Sequence, residues 1–310
     1  MDTKSRWTRF GPQVCALGES PFWHPVEQSL YWVDIDGKCI YRANGYTGDT
    51  ERWDLPENPG CIAPAASGGL VIALRNTVYR ASQWKGPLER IHRFEHDANT
   101  TRFNDGKCDP HGRFWAGTMY EPRDQALGQL FSLEACAGGD VIIRTMADGA
   151  TVANGLAWSP DASTVYWTDT KSHCIRAWDW QADANVMSQV RTFAQFAPKP
   201  EGWRYGHGSE PYGGRPDGAA VDVQGNYWVA MYEGGRILKL SPTGEQLAEL
   251  RTPVLCPTMP CFGGDDLKTL YFTSASHGRG AAELAAFPHS GCVFFTRVDV
   301  PGLPVNLFCD

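Results

Sequence analysis

The sequence predicts an all-β fold, a six-bladed β-propeller, on three observations. One strand–turn–strand unit occurs six times along the 310 residues. The copies recur about every 40 to 50 residues, the repeat length of propeller blades. No segment sustains apolar residues at i, i+3, i+4 and i+7 over three turns, so helix should be minimal. Composition agrees: 33 Gly and 21 Pro supply tight turns, and 12 Trp suit half-buried strands.

Each unit opens on a lead residue, runs through a short apolar strand and a turn, and continues in a second strand, which carries an aromatic pair in every copy but the second. The first is "GESPFWHPVEQSLYWVDIDG" (18–37), led by Glu19, with Tyr31-Trp32 in the aromatic slot. The second, "GCIAPAASGGLVIALRNTVYRA" (60–81), is the weakest copy and starts on Gly60. The third, "NDGKCDPHGRFWAGTM" (104–119), is led by Asp105. "ANGLAWSPDASTVYWTDT" (153–170) and "PDGAAVDVQGNYWVAMYEGG" (216–235) are led by Asn154 and Asp217. The last, "PTMPCFGGDDLKTLYFTSA" (257–275), is led by Thr258. A further turn and strand follow each slot, as in "GKCIYRA" (37–43) and "GGRILKL" (234–240), so each unit supplies three or four antiparallel strands. The six units make residues 1–310 one propeller domain.

The step from Asn154 to Asp217 is markedly longer than the others. It contains an insertion, 195–216, rich in Gly, Pro, Tyr and Trp. A long segment without its own pattern that ends on a lead residue reads as an active-site rim loop over the central channel.

Charge and cysteine use narrow the function classes. A net charge of −7 and no basic stripe argue against nucleic acid, whose recognition rests on clustered Lys and Arg. No stretch of about 18 apolar residues exists to span a membrane. The start "MDTKSRWTRFGPQ" lacks the apolar core of a secretory signal. The ten cysteines form no C-x-x-C pair, which fits reduced, mostly buried thiols in a cytoplasmic protein. A monomer is the default.

Inner strands of a propeller line its channel, so their starts converge. Glu19, Asp105, Asn154, Asp217 and Thr258 should ring one opening. Carboxylates crowded there repel, and desolvation raises that cost. One divalent cation resolves it, with Glu19, Asn154 and Asp217 as the ligand set. These oxygen donors suit Ca²⁺ or Mg²⁺, or Mn²⁺, Fe²⁺ or Zn²⁺ with waters in open positions. Three protein ligands with positions left open are the mark of a catalytic site. The bland alternative is that each lead residue caps its own turn.

The motifs "LGESPFW" (17–23), "RFNDGKCDPHGRFWAGTM" (102–119), "NGLAWSPD" (154–161), "PDGAAVDVQGNYWVAMYEGGR" (216–236) and "CFGGDDLKTLYFTSA" (261–275) resemble, in order, the gluconolactonase-like family. That family includes senescence marker protein-30 (regucalcin) and the luciferin-regenerating enzyme. The resemblance implies a six-bladed propeller with one divalent metal in the channel and a sugar lactonase activity. It assigns the metal to Glu19, Asn154 and Asp217. It assigns sugar contacts to Arg102 and Asn104, and an acidic contact after "AGTM" to Glu121, although Pro122 stands where some members have a second acid. The insertion before Asp217 exceeds the family's pattern. His24, His207 and His277 are further candidate bases.

The expected reaction is hydrolysis of an aldonolactone, such as a glucono-, xylono- or arabinonolactone, to the sugar acid. The metal polarises the carbonyl, and Asp217 serves as general base or water orienter. Two alternatives share the funnel: an esterase or phosphotriesterase, and a Ca²⁺-binding propeller without catalysis.

Overall fold

The computed structural model describes residues 6–136, 138–207 and 211–310. The extreme N-terminus and residues 208–210 of the insertion therefore lie outside the described residues. Six four-stranded antiparallel sheets stand in a ring as the blades of a propeller. Blade 1 comprises Gly18–His24, Ser29–Asp34, Cys39–Asn44 and Thr50–Asp54. Blade 2 comprises Cys61–Pro64, Leu70–Ala73, Thr77–Ala81 and Glu89–Arg93. Blade 3 runs through Thr101–Cys108, Phe114–Tyr120, Gly128–Ala135 and Val141–Ala150. Blade 4 follows with Ala153–Trp158, Thr164–Asp169, Cys174–Gln181 and Val186–Gln195. Blade 5 is Arg215–Val221, Tyr227–Tyr232, Arg236–Leu240 and Gln246–Arg251.

Blade 6 closes the ring with both ends of the described chain. Pro257–Gly263, Thr269–Ser274 and Val293–Arg297 supply three strands, and Thr8–Phe10 pairs outside them as the fourth. The partners are Thr8 with Phe295 and Phe10 with Val293. Unzipping the first blade from the last would expose sheet edges, and this pairing prevents it. Among the described residues the one α-helix is Ala281–Ala286, and no helix is long and apolar enough to cross a membrane.

A turn motif explains why "DPHGRFW" and "DVQGNYW" repeat. Asp109 Oδ1 accepts the N–H groups of His111 and Arg113, and its Oδ2 accepts Trp115 Nε1–H at 2.8 Å. Asp222 does the same for Gln224, Asn226 and Trp228. One buried carboxylate thus closes the turn and gives the indole its hydrogen bond, which a buried Trp needs. Trp32, Trp115 and Trp167 occupy the aromatic slots with 2% exposure or less, packed between blades. All ten cysteines are free, eight of them buried.

The last residues strap the channel end opposite the lead residues. Leu303 N–H donates to Val221, Asn306 Nδ2 to the carbonyl of Cys108, and Phe308 N–H to Pro64. They roof a cavity of about 290 Å³ lined by Phe22, Lys107, Met259 and the inner-strand ends.

Candidate functional site

The lead residues sit where inner strands leave regular pairing. In blades 1, 3, 4, 5 and 6 the inner strand carries one extra residue against its neighbour: between Glu19 and Phe22, Phe103 and Gly106, Asn154 and Ala157, Pro216 and Ala219, and Pro257 and Pro260. Such bulges re-aim side chains and break the ladder locally. Blade 2, whose copy starts on Gly60, pairs regularly from Cys61 to Pro64. The lead residues are equivalent only to within two positions. Glu19 and Asn154 are the last paired residues before the bulge, Asp217 and Thr258 come first within it, and Asp105 comes second.

Two kinds of bulge account for the offset. In blades 1 and 4 the first bulged residue is left-handed, Ser20 at φ 48° and Gly155 at φ 60°. Gly155 has no alternative, because a Cβ there would lie 2.4 Å from both Thr168 Oγ1 and Tyr227 Oη. In blade 5 the companion of Asp217 is Gly218, whose added Cβ would lie 2.4 Å from Met259 Cβ. The pair Asp217-Gly218 therefore reflects close approach of blades 5 and 6.

Buried aspartates at the ends of second strands hold the approach to Glu19 and Asn154. Asp34 accepts the N–H groups of Ala16, Leu17 and Gly37 at 2.9–3.0 Å. Asp169 accepts those of Thr151, Val152 and Lys171. Thr258 turns inward, donating to the Gly18 carbonyl at 2.5 Å, so it braces the backbone beside Glu19.

Glu19, Asp105 and Asp217 are all buried, at 4–6% exposure. Burial raises the Glu19 pKa well above the carboxylate range, and the charges of Asp217 and Asp105 raise it further. Burial pushes Asp217 up to about 8, with Asp105 adding to it and Arg215 and Arg123 opposing. Among the described residues neither Glu19 nor Asp217 has a salt-bridge partner. Asp105 accepts Leu156 N–H through Oδ2, while its Oδ1 is buried without a partner. Lys107 lies further along the same strand, its Nζ donating to the Ala219 carbonyl at 2.8 Å. Burial lowers its pKa, and Asp105 and Glu19 oppose that.

The donor chemistry fits a hard divalent cation. Two buried carboxylates lack a salt-bridge partner among the described residues, and the Asn154 amide is oriented by donating to Thr170 Oγ1 at 2.7 Å. Among the described residues no three His, Cys, Asp or Glu side chains cluster as metal ligands. The third donor of this set is an amide, outside that group.

The candidate sugar contacts join this centre through one hydrogen-bonded chain. Asn104 Nδ2 donates to Asn154 Oδ1 at 2.8 Å and to the Ala153 carbonyl, crossing from blade 3 to blade 4. Arg102 Nη1 donates to Asn104 Oδ1 at 2.8 Å. Arg102 Nε lies 3.4 Å from Glu121 Oε1, and Arg75 of blade 2 contacts the other Glu121 oxygen. Asn104 thus bridges blades and forms no Asx-turn, and the Arg102 pair stays within blade 3.

The histidines separate. His24 ends the blade 1 inner strand, away from Glu19, against Glu27 and Tyr31. His277 is exposed at the rim and lies 3.0 Å from Asp36. His207 is exposed on the insertion. Of the insertion, Trp203 packs on Tyr212, Tyr205 on Phe287 of the blade 6 connection, and Tyr212 Oη on His173 Nε2 at 2.7 Å. Lys199 Nζ lies 2.8 Å from Glu233, which also meets Arg215 and Arg279.

Sequence reasoning missed Lys107, Asp34, Asp169 and Glu233. Lys107 was legible as the second residue after Asp105 on a channel strand. Asp34 and Asp169 were legible in the repeated "YWVD" and "YWTD".

Comparison with known proteins follows the same outline. Residues 17–276 match the SMP-30/Gluconolactonase/LRE-like region. The chain is 43% identical over 298 residues to the 6-deoxy-6-sulfogluconolactonase of Pseudomonas putida, covering 96% of each chain. It is 35% identical over 294 residues to the regucalcin of Danio rerio, covering 93% of each. Its fold superposes on a calcium-binding protein, regucalcin, of Agrobacterium tumefaciens with a TM-score of 0.87, at 22% identity over 97% of this chain and 96% of that one. The chain belongs to the SMP-30/gluconolactonase/LRE-like family.

Proposed function

We propose that the protein hydrolyses a sugar lactone to its sugar acid at the mouth ringed by Glu19, Asn154 and Asp217. The observation that carries this is two buried carboxylates without a salt-bridge partner, Glu19 and Asp217, together with a hydrogen-bonded chain, Asn154–Asn104–Arg102–Glu121, in a protein 43% identical to a named sugar lactonase. Glu19, Asn154 and Asp217 hold one divalent cation. Such an ion supplies Lewis-acid polarisation of the lactone carbonyl and stabilises the developing oxyanion.

The chain's own groups do the rest. Arg102 and Asn104 donate to sugar hydroxyls, and Glu121 accepts from one. Asp217 orients the attacking water and takes its proton as the new C–O bond forms, work worth about 10²–10⁴-fold. Collapse of the tetrahedral adduct breaks the ring C–O bond, and the proton passes to the leaving ring oxygen. Burial keeps bulk water from competing for these hydrogen bonds.

The test is base uptake at constant pH across glucono-, xylono- and arabinonolactones and 6-deoxy-6-sulfogluconolactone. Chelated enzyme is restored with Mg²⁺, Ca²⁺, Mn²⁺, Fe²⁺ or Zn²⁺ in turn. At least one lactone should turn over only with metal, and Asp217→Asn should lose about 10²–10⁴-fold in kcat. Full activity in the chelated enzyme or in folded Asp217→Asn would sink this reading.

A further inference from the structure

A second cavity lies beside the mouth, between the insertion and the segment that carries the one helix. It has a volume of about 620 Å³ and is lined by Lys199, Arg204, His207, Glu233, Arg279 and Glu283, with Trp203 and Tyr205 as walls. The chain carries a net charge of −7, yet this place gathers cations. Arg279 pairs with Glu283 at 2.7 Å and with Glu233 at 3.0 Å. Lys199 and Arg215 also converge on Glu233, so three cations share one carboxylate.

That clamp alone would explain Lys199, Arg215 and Arg279 as anchors of the insertion. It does not explain Arg204 or His207. Both are exposed, both line the cavity, and among the described residues neither side chain has a hydrogen-bond or ion-pair partner. Arg215 also has a buried Nε without a partner. Arg215 links the two places, since its charge acts on Asp217 two residues along its strand while its Nη2 lies 3.3 Å from Glu233. A preformed pocket with the unpaired guanidinium N–H groups of Arg204 in its lining suits an oxyanion with several acceptor atoms.

We propose that this cavity is a subsite for an anionic group, a sulfonate or phosphate, carried on the sugar lactone at the end remote from the carbonyl. This rests on the lactonase reading and names its substrate class. Arg204 is the specificity-determining contact, and Lys199 and Arg279 supply the field around it. The insertion that lengthens the fourth repeat exists to build this wall.

The experiment compares kcat/KM for 6-deoxy-6-sulfoglucono-δ-lactone, 6-phosphoglucono-δ-lactone and unsubstituted glucono-δ-lactone. Wild type should prefer one anionic lactone by about 10-fold or more, and which one identifies the group. Arg204→Gln should erase most of that preference through KM, Arg204→Lys should keep more of it, and added salt should weaken it. Equal kcat/KM for charged and neutral lactones in wild type would overturn the proposal. So would a preference that survives Arg204→Gln, or an equal loss on all three substrates. If no lactone turns over, the function itself fails, and calorimetry with 6-deoxy-6-sulfogluconate against gluconate then reads the subsite alone. Tighter sulfonate binding that Arg204→Gln abolishes would sustain the subsite, and equal binding would remove it.

Discussion

Blades 1 and 4 bring their polar residues to the mouth in one way, and blade 5 does so in another. In blades 1 and 4 the second strand ends on a buried aspartate that collects three backbone N–H groups each, Asp34 and Asp169. The bulge begins in the left-handed region, and the lead residue precedes it. In blade 5 the residue paired with Arg215 is Tyr232, and Glu233 follows it. Glu233 collects no backbone in this way; it gathers Lys199, Arg215 and Arg279 from the insertion, its own blade and blade 6. Tyr232 thus holds the register place of Asp34 and Asp169, and the acid of blade 5 falls one residue later. Backbone stitching fixes the chain that leads into Glu19 and Asn154, while the charge network holds an extra loop and leaves cations at the rim.

The two arrangements should break differently. The largest effect is expected at the stitching aspartates. Asp169→Ala leaves three N–H groups without their carboxylate, and should lose about 3 kcal/mol in urea unfolding. A loss well under about 1 kcal/mol would show that water replaces the carboxylate freely and would dissolve the contrast.

Next comes pH. The folded pKa values of Glu19 and Asp217 lie above their ordinary ones, so the folded metal-free protein holds protons that the unfolded chain releases. Their contribution is complete below about pH 4 and is lost as pH rises through the folded values, about 8 for Asp217. Stability of chelated protein should therefore fall steadily between pH 5 and 8, and divalent cation should restore it. Glu19→Gln with Asp217→Asn should flatten the slope. Glu233 has the opposite sign: burial raises its pKa, but Arg215, Lys199 and Arg279 together bring it below the ordinary value. Its contribution is present at neutral pH and is lost as pH falls through that lowered value. A chelated protein with no pH slope in guanidinium-free thermal melts would contradict the first half.

The smallest effect is expected for Glu233→Gln, about 1 kcal/mol. Arg279 keeps Glu283, and Lys199 and Arg215 are partly solvated. The deficit should shrink at 0.5 M salt, roughly, because screening relieves the remaining cation repulsion. A salt-insensitive deficit as large as that of Asp169→Ala would make the two arrangements alike.

Much of this molecule is written locally. The six strand–turn–strand repeats, the turn aspartates Asp109 and Asp222, and the lead residues follow from short motifs, because a strand and its turn are decided within about ten residues. The lead residues could be placed at one mouth, since every blade starts its inner strand there. Their offsets could not, because a bulge depends on what the neighbouring strand and blade leave room for. Gly155 needs Tyr227 from blade 5 to be understood, and Gly218 needs Met259 from blade 6. Lys107 reads as an ordinary strand lysine until the channel closes around it.

The sequence by itself determined the blade count and the strand alternation, since period-two patterning and turn chemistry act between near neighbours. Only the tertiary structure decided that Thr8–Phe10 closes blade 6, that residues 303–308 strap the far end, and that Asn104 joins Arg102 to Asn154. It alone decided that Arg204 and His207 face one cavity with Lys199 and Arg279. The physical reason is range: desolvation, charge crowding and shape complementarity arise between residues far apart in the chain, once closure of the ring brings them together.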